Sequence, residues 1–242
     1  DKVIPSTIGA VPGVHAYVTG ETAGSHDFSA QLRSRAPLVF LFVLGLAMVL
    51  LLTAFRSLTI AVTAVVMNLL SVGASYGAMV LVFQHHWFDG ILGYTSTGTI
   101  ATWIPLFMFA ILFGLSMDYH VFIVSRIVEN RRRGMGTNAA VEHGIASTAG
   151  VITSAAVIMV AVFSIFGTLS QVSMKQVGFG LAVAVLLDAT IVRAVLLPAG
   201  MALLGERNWY LPPVLNWLPE GRNATAVELR EPLQPAPAYI SN

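Results

Sequence analysis

The chain has 242 residues, of which 56% are hydrophobic and only 10% charged, with a formal net charge of +1 and a mean hydropathy of +0.76. So apolar a balance excludes an ordinary soluble domain and belongs to a membrane protein, and so small a net charge gives no reason to expect a nucleic-acid partner, which needs a basic patch. The lack of cysteine removes disulfides, thiolate nucleophiles and Cys-ligated metal sites from consideration.

In chain order, residues 1–36 read as the end of a soluble α+β domain. Val14, Ala16 and Val18 alternate with His15, Tyr17 and Thr19 after the turn signal Pro12-Gly13, the pattern of a half-buried strand, and 21–36 is helix-compatible. A lone strand is not stable, so its sheet partners are expected upstream. So is the natural start, since the chain opens on Asp1 without the order of a signal peptide.

A bilayer core of ~30 Å needs ~20 mostly apolar helical residues. Five stretches meet that requirement, at about 37–54, 58–83, 103–125, 147–169 and 177–203. Pro37 suits a first helical turn, and Phe55-Arg56-Ser57 leaves room only for a tight turn, so the first two spans form a hairpin. The connection 84–102 is aromatic and Gly-rich, as expected of an interfacial loop; 126–146 is the long polar connection, and 170–176 is short. Residues 204–242 form a tail, with Trp209 and Trp217 suited to the interface and the Pro-rich end, 221–242, expected to be disordered. The fold class is therefore an all-α integral membrane bundle of five transmembrane helices with a remnant of a soluble domain at its N-terminus.

Arg56, Arg126, Arg131, Arg132, Arg133 and Arg207 fall on one face of this topology and Arg33, Arg35 and Lys175 on the other. By the positive-inside rule the first face is cytoplasmic, with residues 1–36 external and 204–242 internal.

Ionisable residues inside a membrane are costly and mark functional paths by default. Four lie well inside the spans: Asp118 and His120 in the third, Asp188 and Arg193 in the fifth. Asp118 sits about 14 residues, or ~21 Å, below the outer start of its helix. A carboxyl in an apolar medium favours its neutral form, so it could load and release protons; the alternative is a static hydrogen bond or ion pair. Tyr119 could orient that carboxyl or a water through its hydroxyl, or simply pack. Ser116 and His120, four apart, share a face, where a neutral buried imidazole is the plainer reading and a relay the sharper one. Asp188 and Arg193 are five apart, about 140° around an α-helix, so a mutual ion pair is not favoured and each is expected to reach another helix. Asp188 paired with Arg126 or Arg193 would be structural; Asp188 facing Asp118 would be a second proton site. His85 and His86 beside Asp89 make a weak metal signal with no third ligand fixed by spacing, so no metal site is assigned. The Gly73–Gly77 GxxxG pair, with Gly114, Gly178 and Gly180, argues for close helix packing. Ser116 with His120 is too generic a pair to support an intramembrane hydrolase; the chain is expected not to be an enzyme and to have no catalytic residues.

The run from Phe113-Gly114-Leu115-Ser116-Met117-Asp118-Tyr119-His120 to Ser125-Arg126-Ile127 closely resembles the Asp-Tyr helix of the MMPL family, a branch of the resistance-nodulation-division transporters. The block from Lys175-Gln176-Val177-Gly178-Phe179-Gly180 through Leu187-Asp188-Ala189-Thr190-Ile191-Val192-Arg193 to Leu197-Pro198-Ala199 is similar to that family's last transmembrane helix, and Gly205-Glu206-Arg207-Asn208-Trp209 to its cytoplasmic exit. The resemblance implies a twelve-span protein of two similar halves in the bacterial plasma membrane, with this chain holding the end of the second periplasmic domain and spans eight to twelve. It implies that Asp118 and Tyr119 are a proton-relay pair working with an equivalent pair on a fourth helix in the N-terminal half, and that protons are the coupling ion with no bound cofactor. It implies export of lipids, glycolipids or other hydrophobic molecules, with membrane lipids and the N-terminal half as partners and an oligomer left open. Drug efflux and a non-transporting lipid- or sterol-sensing bundle are the alternatives.

The topology is directly testable. Cysteines introduced singly at Ser25 and Asn138 should label with an impermeant reagent from outside and from inside respectively; labelling of Asn138 in intact cells would reverse the orientation.

Overall fold

The computed structural model describes residues 20–84, 98–215 and 217. Five helical segments in it are long and apolar enough to cross a membrane, as expected, and no strand occurs among the described residues. The expected strand at 14–19, the pair His85–His86 and the end of the tail lie outside them.

Helix α1 is Glu21–Phe55, α2 Leu58–Gln84, α3 Ile104–Arg132, α4 Thr137–Phe166 and α5 Val172–Leu187. The last span continues through a π-helical segment, Asp188–Leu196, into α6, Leu197–Leu204, and ends in the 3-10 turn Gly205–Trp209. Helices α2, α3 and α5 pack against one another; α1 lies outside on α2 and α3, and α4 outside on α3 and α5. Burial follows this order: 44% of the apolar window is buried in α2 and in α3, against 11% in α1 and in α4. Leu41, Phe42 and Val49 of α1, with Val157, Ile158 and Ile165 of α4, are exposed, large apolar faces of the kind that a membrane bundle turns to lipid or to further apolar segments.

Two expectations are corrected. Residues 126–146 are not a long loop: α3 runs on to Arg132 and α4 starts at Thr137, leaving a four-residue turn. Charged residues end a hydrophobic span but not a helix; Arg126 and Glu129 continue α3 past the apolar stretch, with the i,i+3 ion pair Arg126–Glu129 (2.8 Å) and a pair from Glu129 to the capping Arg133 (2.6 Å). At the other end, Pro37 does not open its helix but lies inside α1, which begins at Glu21. That proline removes the bond reaching back to the carbonyl of Arg33, an exposed position where the loss is tolerated.

The centre is a cluster of Phe83, Phe109, Phe113, Met79, Met108 and Leu181, all almost fully buried. Lipid is as apolar as these side chains, so the bundle depends on close fit and on interhelical hydrogen bonds. Ser75 donates to the Gly180 carbonyl at 2.8 Å, Tyr76 to the Pro105 carbonyl, and Gln176 to the Thr99 carbonyl at 3.0 Å. A Cβ on Gly178 would collide with Phe166 and the Phe163 carbonyl, and one on Gly180 with Met108, so these two glycines admit α4 and α3 to α5. The Gly73–Gly77 pair and Gly114 differ from expectation: nothing in the described chain comes within 4 Å of a Cβ built on any of them.

One end of the bundle is tied by polar contacts. Ser57 caps α2 through the Ile60 amide (3.2 Å) and donates to the Asn208 carbonyl, while the Asn208 side chain donates to the carbonyls of Met201 (2.6 Å) and Gly205 (2.7 Å). Glu206 accepts from Arg131 (2.6 Å) and Thr137 (2.7 Å), and the Trp209 indole donates to Thr137 (3.2 Å). These contacts bring Arg56, the arginines at the end of α3 and Arg207 to the same end, as the topology requires.

Candidate functional site

Helix α3 divides the sequence-predicted residues between two directions. Ser116 and His120, four apart, face inward and are buried; Tyr119 is half-buried; Asp118 is exposed. The Asp118 carboxylate makes no hydrogen bond or ion pair with another described residue. It lies on a stripe with Phe107, Ala110, Gly114 and Phe122, spaced three or four apart, every member exposed.

The inward group forms around Arg193, which is 4% exposed. Its Nη2 donates to the Asp188 carboxylate, to the Ser116 carbonyl at 3.0 Å and, more weakly, toward the Ser116 hydroxyl at 3.4 Å. The guanidinium carbon lies 4.4 Å from the centroid of the Tyr119 ring, a cation–π contact whose value rises where water is excluded. The Tyr119 hydroxyl points to the Met159 sulfur of α4 at 3.5 Å. Ser116, Tyr119, Asp188 and Arg193 line one small cavity with Asn68 and Ser71 of α2.

The expectation that Asp188 and Arg193 would not pair with each other is overturned by the π-helical segment. It assumed 3.6 residues per turn; over Asp188–Leu196 the backbone bonds run from i to i+5, so residues five apart stand one above the other. Pro198 supplies a reason in the sequence: it has no N–H for the Ala194 carbonyl and its ring crowds that carbonyl. Arg126 is not the partner of Asp188, being engaged with Glu129 at 2.8 Å on the exposed end of α3. Asp188 and Asp118 do not face one another, since one is buried and the other exposed. His120 is buried but does not line the cavity. Among the described residues no group of three or more His, Cys, Asp or Glu could hold a metal ion.

Sequence reasoning missed Asn68. It is 5% exposed, lines the cavity and donates to the Phe113 carbonyl at 3.4 Å; a lone amide in an apolar span was the available signal.

A family model described as the MMPL family matches residues 2–223. The chain is 41% identical over 226 residues to "Probable transport protein MmpL11" of Mycobacterium leprae, covering 93% of this chain and 22% of that protein. It is 43% identical over 201 residues to "Mycolic acid-containing lipids exporter MmpL11" of Mycolicibacterium smegmatis, covering 83% and 21%. It is 42% identical over 201 residues to "Heme uptake protein MmpL11" of Mycobacterium tuberculosis strain H37Rv, covering 83% and 20%. The chain thus spans about a fifth of the length of the curated relatives it matches.

The buried pair makes a double-mutant prediction. Asp188→Asn leaves Arg193 charged and without its carboxylate, a loss of about 3–5 kcal/mol for a broken buried pair. Replacing both, as Asp188→Leu with Arg193→Met, should recover most of it. Thermal unfolding in detergent reads both; a single variant as stable as the original, or a double variant no better than the single, contradicts the pairing.

Proposed function

This chain belongs to the MMPL family, and on that footing we propose that it is the membrane part of the second half of a proton-driven exporter in a bacterial plasma membrane. The observation that carries the proposal is Asp118, a carboxyl deep in a span, on a face of α3 that the other described helices leave open. An ionisable group turned to lipid is costly, so this face is the docking surface for a further membrane segment. The family resemblance supplies its identity: the helix of the N-terminal half that carries the equivalent Asp-Tyr pair.

Asp118 is then the proton carrier and Tyr119, next to it in sequence and with its ring beside Arg193, the link behind it. Protonating Asp118 removes a charge and changes which partners it prefers, which biases the two halves toward one of two arrangements. Each proton brings ~2.3 kcal/mol per 100 mV of membrane potential and ~1.4 kcal/mol per pH unit, enough for modest uphill transport without nucleotide. The cargo is a lipid or glycolipid, supported by the name of the Mycolicibacterium relative. Heme is the second reading, favoured by the name of another relative of nearly the same identity.

In the full-length protein, Asp118→Asn keeps shape and hydrogen-bonding capacity but cannot cycle between charged and neutral forms. Protein level should survive while gradient-driven transport is lost. Tyr119→Phe should reduce transport less than Asp118→Asn does. Normal transport by Asp118→Asn, measured in sealed vesicles under an imposed pH gradient, would remove Asp118 from the proton path.

A further inference from the structure

The Arg193 cluster leaves three polar atoms without hydrogen-bond partners among the described residues. Nη2 of Arg193 is committed to Asp188 and Ser116, but Nε and Nη1 have no acceptor, and neither has Oδ1 of Asn68 a donor. Both residues are almost fully enclosed, at 4% and 5% exposure, and both line the same cavity. Unmet polar groups so buried are expensive, and three of them on residues that line one cavity point to an occupant.

The chemistry of these atoms selects it. The occupant must accept hydrogen bonds from a guanidinium and donate one to an amide oxygen. A halide or carboxylate accepts but cannot donate to Asn68, and a metal cation is repelled by Arg193. Turning the Asn68 amide over does not help, since its oxygen would then oppose the Phe113 carbonyl that its nitrogen now serves at 3.4 Å. Water accepts and donates, and the cavity has room for about one water molecule.

We propose that this cavity is a built internal water site, held by Arg193 and Asn68, that ties the second span of the chain to the last. The bridge satisfies the guanidinium on the side away from Asp188, so that Arg193 is held from α2, α3 and its own helix at once. The proposal stands apart from the proton-relay reading, because neither Asp118 nor transport enters it.

The test is a density map of the full-length protein in a lipid bilayer, at a resolution that shows ordered solvent. The expected result is a single-atom peak within hydrogen-bond distance, about 2.7–3.2 Å, of Asn68 Oδ1 and of Nε or Nη1 of Arg193. An empty cavity, or a protein, lipid or ion atom in contact with those nitrogens, overturns the proposal. Asn68→Leu, which removes the acceptor and fills space, should lose the peak, whereas Asn68→Ser, which keeps a hydroxyl and opens room, should retain solvent there. A peak unchanged in Asn68→Leu would show that Asn68 does not hold the water. Should the leucine variant fail to fold, the maps of the original protein and of Asn68→Ser decide the matter by themselves.

Discussion

A guanidinium held inside an apolar bundle is the constraint around which this structure is organised. Arg193 cannot be left bare in a low-dielectric interior, and its requirements run through two elements, the last span and α3. The last span adopts a π-helical segment that turns Asp188 toward it, α3 offers the Ser116 backbone and hydroxyl, and Tyr119 lays its ring beside the cation at 4.4 Å. The apolar packing of Phe83, Phe109, Phe113 and Met108 sets how closely the helices approach. The polar cluster sets which faces they present. Ser116 and Tyr119 are drawn to Arg193; of the two residues between them, Met117 packs against the apolar core and Asp118 points outward.

The two acidic residues therefore occupy different physical situations. Asp188 has its charge partner inside the chain, as a structural ion pair requires. Asp118 has none among the described residues and stands on an open face with Gly114 and Phe122. A group that is to gain and lose protons gains from having its partners supplied by a surface that can move. Among the described residues the bundle thus holds one acidic group in an interior pair and leaves the other on an open face.

The five spans were legible from hydropathy because twenty apolar residues have one economical solution in a bilayer, and Asp118 stood out because charge inside such a run is rare. What remained hidden was local geometry. The Asp188–Arg193 pair was obscured by the assumption of α-helical spacing, although Pro198 was a visible reason for that spacing to fail. The extension of α3 to Arg132 was hidden because polar residues end a hydrophobic pattern without ending a helix. Gly73 and Gly77 carry the motif of close packing but meet nothing in the described chain, whereas Gly178 and Gly180 do; spacing says that a helix can be approached, not which neighbour approaches it. Asn68 was passed over because its importance lies in the cavity it shares with Arg193, a relation between spans far apart in sequence.

The central claim is that the Asp118 face of α3 is covered in the full-length protein while the outer faces of α1 and α4 are not. Nitroxide labels on single cysteines replacing Phe107 and Phe122, on the Asp118 stripe, and Leu41 and Ile158, on α1 and α4, measure this through collision with dissolved oxygen, which concentrates in lipid. In the full-length protein in bilayers the account predicts low accessibility at Phe107 and Phe122 and high accessibility at Leu41 and Ile158. Labels at Phe107 and Phe122 as open to oxygen as those at Leu41 and Ile158 would mean that Asp118 faces lipid, and the account would be contradicted.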